Sequence, residues 1–109
     1  MADILGGFEQ AVLLAVIRLG DEAYGRAILK DVQQRLERDV AAGATHATLE
    51  RLENKGLLAS RPGAGTPVRA GRARRYYRLQ PAGIRALNDA RAAVDTIWHG
   101  FTWPLKGRA

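Results

Sequence analysis

Apolar residues recur every three or four positions in the first half of the chain, which predicts a series of amphipathic helices. A first helix is predicted over residues 7–19, apolar on nearly every side in its middle, and a second over residues 25–37. A third is predicted over residues 43–55, ended by Gly56 as a left-handed residue. The inward positions are Ile28, Leu29, Val32 and Leu36 in the second helix, and Ala44, Thr48, Leu49 and Leu52 in the third.

After Gly56 the pattern changes to short strands. Residues 57–61 and 73–79 are strand candidates, and the tip between them is rich in Gly and Pro, so a hairpin is expected. Tyr77 and Leu79 would share its inner side, while Tyr76 lies on the other side, where it faces either the wing or a partner. Pro81 suits the first turn of a fourth helix that extends to about residue 101.

The 109 residues allow one folded unit, and the element order predicts its class. The fold expected is mainly α with a small β-hairpin: a winged helix-turn-helix domain over residues 1–80, a C-terminal dimerisation helix over residues 81–103, and a tail over residues 104–109. Two consecutive helices followed by a hairpin, the wing, can place the second of those helices in the major groove of DNA.

The net positive charge of the chain lies in one segment. Between Asn54 and Asn88 there are eight basic residues and no acidic one, so the net charge of +6 leaves −2 for the remainder. A polyanionic partner, double-stranded DNA, is the interpretation preferred for this asymmetry. The alternative is an Arg-rich loop that only serves solubility.

Several classes of protein are disfavoured by what the sequence lacks. It contains no cysteine, which excludes disulfides, thiolate metal sites and cysteine nucleophiles. We find no phosphate-binding glycine loop and no nucleophile–base pair, so neither an enzyme nor a cofactor is expected. A metal site at His46 is disfavoured because the second histidine, His99, is more than fifty residues away. With no leader pattern and no long apolar run, a cytoplasmic protein without membrane contact is expected.

Candidate DNA contacts follow from this arrangement. The third helix is expected to present Thr45, His46, Glu50, Arg51 and Asn54 outward, and the contacts predicted on it are Thr45, His46, Thr48 and Arg51. The contacts predicted on the wing are Arg69, Arg72, Arg74 and Arg75. Wing arginines would supply affinity through phosphates, and the helix would supply sequence preference. Each helix residue could instead belong to an ordinary solvated face.

The fourth helix carries an apolar stripe longer than a winged domain needs. Its members recur at heptad-like spacing, with Arg91 as one charged interruption, and predict a homodimer interface of Ile84, Leu87, Val94, Trp98 and Phe101. Packing of this helix on the first helix of its own chain is the alternative, and the two can coexist. Trp98 and Trp103 suggest an effector pocket for a small apolar or aromatic molecule, although tryptophan serves equally well as interface filler.

Five short segments within residues 4–88 form a familiar series: EQAVLL at 9–14, AYG at 23–25, GATHATL at 43–49, RLENKGLL at 51–58 and GRARRYYRL at 71–79. In their order and spacing they resemble the PadR family of winged-helix transcriptional regulators. The resemblance implies a dimeric, sequence-specific repressor. At one position the chain departs from the family pattern, because His46 stands where a tyrosine is usual, and this changes the expected DNA contact.

The function predicted is therefore that of a homodimeric transcriptional regulator that binds a pseudo-palindromic operator and is released by a small effector. The alternative is a winged-helix module whose basic wing binds an acidic protein surface, because a fold alone does not decide the partner.

Overall fold

The computed structural model describes residues 4–63 and 74–107. Its elements follow the order predicted from the sequence. They are helix α1 (Gly7–Leu19), a 3-10 turn (Gly20–Glu22), helices α2 (Gly25–Leu36) and α3 (Ala42–Asn54), strands β1 (Leu58–Pro62) and β2 (Arg75–Leu79), and helix α4 (Pro81–Ile97). The mainly α fold with one antiparallel hairpin confirms the predicted class. In the described part of the chain, no helix is both long enough and apolar enough to cross a membrane.

Helix α1 lies at the centre of the domain. It contacts α2, α3, α4 and β2, and its Val12, Leu13 and Ala15 are fully buried. Neighbouring elements therefore account for part of its apolar sequence, whereas Leu14 and Ile17 of the same helix are 43% and 53% exposed. At its start, Glu9 accepts a hydrogen bond from the backbone N–H of Gly6 at 3.0 Å, which satisfies a donor that the first helical turn leaves unpaired.

The hairpin is attached to the helical body by backbone pairing. Within it, Ser60 lies opposite Tyr77 and Pro62 lies opposite Arg75. The N–H of Tyr77 also donates to the carbonyl of Ala23 at 2.8 Å, in the connection between α1 and α2. Tyr77 is buried, as predicted, and burial raises the pKa of its phenol, with a further contribution from the Glu53 carboxylate. The base of the wing is thus fixed to the helices.

Helix α4 is shorter than predicted, ending at Ile97 instead of near residue 101. The apolar pattern continues past this point, but Gly100 adopts a positive φ of 91°, and the N–H of Phe101 donates to the carbonyl of Trp98 at 2.8 Å. This turn stops the helical hydrogen bonding. Phe101 and Trp103, predicted respectively at the dimer interface and in the effector pocket, therefore follow the helix instead of lying on it.

Candidate nucleic-acid interface

Helix α3 packs on the core through one side and exposes the other. Thr45, Thr48, Leu49 and Leu52 are at most 4% exposed. Since successive residues turn by about 100° around a helix, the opposite side is centred on Gly43, Ala47, Glu50 and Asn54, all of which are exposed. His46 lies on one flank of this exposed side and Arg51 on the other.

The side chains of Thr45 and Thr48, both predicted to contact DNA, are buried, with 2% and 4% exposed. Their burial disfavours a DNA contact through either hydroxyl, and the contact stays a prediction. The Thr45 hydroxyl donates to the carbonyl of Ala41 at 3.4 Å, which satisfies it inside the protein. Ala44, predicted to face inward, is exposed. A threonine whose hydroxyl bonds the preceding turn packs its methyl group like an apolar residue, so polarity alone misassigned this face.

A groove connects the wing to α3. It has a volume of about 450 Å³ and lies among the N-terminus of α2, α3 and β2. Its lining consists of Gly25, Arg26, Leu29, Ala42, Thr45, His46, Leu49, Arg75 and Tyr77. The side chains of Arg26, His46 and Arg75, from three different elements, border this one opening and are exposed. Such side chains bind phosphate oxygens and base edges.

Arg26 is a candidate that the sequence prediction missed. It is the second residue of α2, and it borders the groove together with Gly25. The helix dipole adds partial positive charge at such a terminus, so an anion in the groove would meet both contributions. A signal was present in the sequence: Arg26 directly follows the predicted start of the second helix at Tyr24-Gly25.

Two side chains hold Arg75 at the edge of the groove. Its Nε donates to Ser60 Oγ at 3.1 Å, and the same hydroxyl donates to Glu53 Oε2 of α3 at 2.7 Å. Ser60 therefore links the wing strand β2 to α3 through side chains. Neither Ser60 nor Glu53 stood out in the sequence, because the hairpin register brings Ser60 to Arg75 and the packing of α3 on β1 brings Glu53 to Ser60.

Arg74 is held in a different way, over an aromatic ring. Its guanidinium carbon lies 4.1 Å from the centroid of Tyr24, and the Tyr24 ring packs edge-on against Tyr76 at 5.7 Å. Arg61 lies over the other aromatic ring of this set, 5.3 Å from the centroid of Tyr76. A stacked guanidinium keeps its N–H edges for hydrogen bonds, so Arg74 can still bind a phosphate. Tyr76, left without a role by the sequence, supports this stack.

The two other predicted wing contacts, Arg69 and Arg72, lie outside the described residues. The predicted wing arginines within the described residues are Arg74 and Arg75, and both are exposed. They belong to neighbouring positions of one strand end, so their side chains leave on opposite sides of the hairpin.

Arg51 contacts a carboxylate of its own chain. Its Nε lies 3.5 Å from Glu9 Oε2, and Lys55 Nζ lies 3.7 Å from the same oxygen. Burial raises the pKa of Glu9, but the hydrogen bond from Gly6 and the charges of Lys55 and Arg51 outweigh it, so the pKa is lowered. Arg51 would have to exchange Glu9 for a phosphate to bind DNA. Among the residues predicted on α3, His46 alone is exposed beside the wing.

A second surface is formed by the end of α4. Ala90 is 1% exposed against the domain, whereas Val94 and Ile97, on the same side of the helix one and two turns later, are 42% and 69% exposed. Helix α4 contacts α1, so packing on its own chain, the alternative considered above, does occur. Of the predicted interface residues, Leu87 is half-buried in the chain's own core, and Ile84, Val94, Trp98 and Phe101 are exposed.

The two tryptophans of the suggested effector pocket are also exposed, Trp98 by 36% and Trp103 by 78%. Neither borders the groove at α3. Their assignment to a ligand pocket therefore stays a prediction about an assembly of two copies.

A three-helix body with an attached hairpin, a basic groove at its third helix and a projecting fourth helix defines the winged helix-turn-helix class of DNA-binding proteins. Residues 13–89 match the family described as transcriptional regulator PadR-like. The chain belongs to this PadR-like family and is a DNA-binding transcriptional regulator, as the resemblance implied.

Individual relatives agree with this assignment. The chain is 38% identical over 77 residues to the transcriptional regulator Rv3488 of Mycobacterium tuberculosis, covering 71% of this chain and 67% of the relative. A PadR family transcriptional regulator from Eggerthella lenta superimposes with a TM-score of 0.62 at 31% identity, covering 82% of this chain and 75% of that one. A transcriptional regulator from Clostridium thermocellum has the same fold, with a TM-score of 0.68 at 24% identity and coverage of 83% and 82%.

Proposed function

We propose that two copies of this chain pair through α4 and bind a pseudo-palindromic operator, where they repress transcription. The observation that carries the proposal is the groove at α3, where His46, Arg75 and Arg26 converge from three elements. A duplex lying along the exposed side of α3 would place its backbone at the two arginines. The outward residues Gly43 and Ala47 are small, which favours a close approach of the helix to the base edges.

Pairing through α4 is supported by the apolar stripe that continues past the domain. Val94 and Ile97 extend the side of α4 that is buried at Ala90, and within residues 4–63 and 74–107 their side chains stay 42% and 69% exposed. A second copy would bury them about a two-fold axis. Such a pair presents two α3 helices to successive turns of the duplex, roughly 34 Å apart. Release by a small apolar or aromatic effector bound near Trp98 and Trp103 is part of the same proposal.

The proposal is tested by fluorescence anisotropy with a labelled duplex from the promoter upstream of the chain's own gene, titrated at several salt concentrations. The arginine variants R74A and R75A should weaken binding to every sequence. In each variant the plot of log affinity against log salt should become less steep by about 0.9, the contribution of one lost phosphate contact. The variant H46A should instead change which sequences are preferred.

The matched control is R35A, which also removes one cation but lies near the C-terminal end of α2, about 9 Å along the helix from Leu29, the nearest α2 residue that borders the groove. It should bind like wild type. If R35A and R75A weaken binding equally, only the net charge matters and the groove is not the interface. If the wild type does not bind duplex DNA even at low salt, the alternative of an acidic protein partner is favoured.

A further inference from the structure

The contact between the wing and α3 suggests how the protein orients a DNA-binding arginine. Arg75 is an exposed side chain with four rotatable bonds, and ordering such a side chain costs conformational entropy when it binds. In the free protein its Nε is already bonded to Ser60 Oγ at 3.1 Å, and Ser60 is fixed in turn by Glu53 Oε2 at 2.7 Å. Part of the ordering is thus completed before DNA arrives.

The chemistry of the link leaves the positive charge of Arg75 usable. A guanidinium has five N–H donors, and a bond at Nε leaves the two terminal nitrogens for a bidentate acceptor such as a phosphate. Within residues 4–63 and 74–107, Arg75 makes no ion pair with a carboxylate. A neutral hydroxyl stands between it and Glu53, so the orientation is achieved without an ion pair that a phosphate would have to replace. Arg51 is the contrast, since Glu9 lies 3.5 Å from its Nε.

We propose that Ser60 and Glu53 are positioning residues that hold the terminal nitrogens of Arg75 at the groove beside His46 for a DNA phosphate. This inference rests on the proposed DNA-binding function. It also explains how the wing and α3 act as one unit, because the Glu53–Ser60–Arg75 link, here called the wing relay, joins them through side chains. A shift of the wing relative to α3 would break it.

The test is a double-mutant cycle measured by anisotropy at one low salt concentration. The variant S60A should weaken DNA binding by roughly two- to tenfold, and R75A by roughly ten- to a hundredfold. Because S60A acts through Arg75, the double variant S60A/R75A should bind no more weakly than R75A alone. The conservative variant S60T keeps the hydroxyl on a strand and should bind like wild type.

Variants of Glu53 test the wing relay from the side of α3. The variant E53A removes the acceptor of the Ser60 hydroxyl and should weaken binding as S60A does, again with no further loss in the R75A background. The variant E53Q keeps an acceptor oxygen and is the matched control. Thermal unfolding followed by circular dichroism identifies any variant that loses binding by unfolding.

The possible outcomes distinguish a failure of the wing relay from a failure of the proposed DNA-binding function. If the wild type binds duplex with a steep salt dependence but S60A and E53A bind equally well, the positioning role is refuted and the proposed function stands. If the S60A substitution weakens DNA binding by the same factor in the R75A background as in wild type, Ser60 has only a structural role, and the inference again fails. If the wild type binds no duplex, both are overturned.

Discussion

Gly83 offers the sharpest test of how α4 is attached to the wing. A Cβ built at this glycine would overlap the carbonyl oxygen of Leu57 and come within 3.1 Å of Leu79 Cδ1. The residue lies in the first turn of α4, directly above the end of the hairpin. Helix propensity alone predicts that Ala is better than Gly there by about 1 kcal/mol. The close approach of the hairpin predicts the opposite, that alanine at this position destabilises the protein.

The magnitude follows from these two contributions. Overpacking costs about 1–3 kcal/mol, and we take the upper end because the Leu57 contact is with a backbone carbonyl, which cannot rotate away as a side chain can. Subtracting the gain in propensity leaves a loss of about 2 kcal/mol for G83A. If the free energy of unfolding falls by about 1.5 kcal/mol per molar of urea, this loss lowers the unfolding midpoint by roughly 1 M.

The assay is urea unfolding followed by far-UV circular dichroism at one fixed protomer concentration, because pairing of the chains makes stability concentration-dependent. The matched control is G7A, in the first turn of α1, where an added Cβ meets no atom within 4 Å. It should leave stability unchanged or raise it by up to about 1 kcal/mol. A G83A midpoint equal to or above that of wild type would refute the packing described here between α4 and the hairpin.

Two further variants test the pairing surface and an internal ion pair. W98A should lower the dimer fraction in size-exclusion chromatography with light scattering if Trp98 is interface filler; an intact dimer that no longer responds to effector would instead favour the pocket with Trp103. E9Q removes a carboxylate whose pKa lies below its ordinary value of 4.5, so the stability it contributes is complete above that pH and is lost as the pH falls through the lowered value. Between pH 5 and 3 the free energy of unfolding should therefore fall less for E9Q than for wild type, with a difference of about 1 kcal/mol or less. An equal fall in the two proteins would contradict the pairing of Glu9 with Arg51 and Lys55.

The order and type of the elements could be predicted from sequence because each has a strong local signal. Helix α1 was predicted with its observed bounds, since its apolar run stops at Gly20 and begins just after Gly6. The hairpin was identified from its short apolar runs around a Gly/Pro-rich tip, and Pro81 marked the start of α4. These signals act within a few residues, where periodicity and turn chemistry are decisive.

The details of the interface depend on contacts between distant residues, and there the sequence was insufficient. Thr45 appeared polar and outward, but only the packed structure shows its hydroxyl bonded to Ala41. Glu53 and Ser60 carry no signal in the sequence, because the hairpin register brings Ser60 to Arg75 and the packing of α3 on β1 brings Glu53 to Ser60. The end of α4 was misjudged because the apolar pattern continues through the turn at Gly100.

Hydroxyl-radical footprinting of the protein on its operator tests most directly the central claim, that α3 and the wing share one DNA-binding surface presented twice by paired chains. The account predicts two protected backbone patches on one side of the duplex, about 10 base pairs apart, and the R75A variant should weaken protection in both. A single patch, or two patches that R75A leaves unchanged, would contradict it.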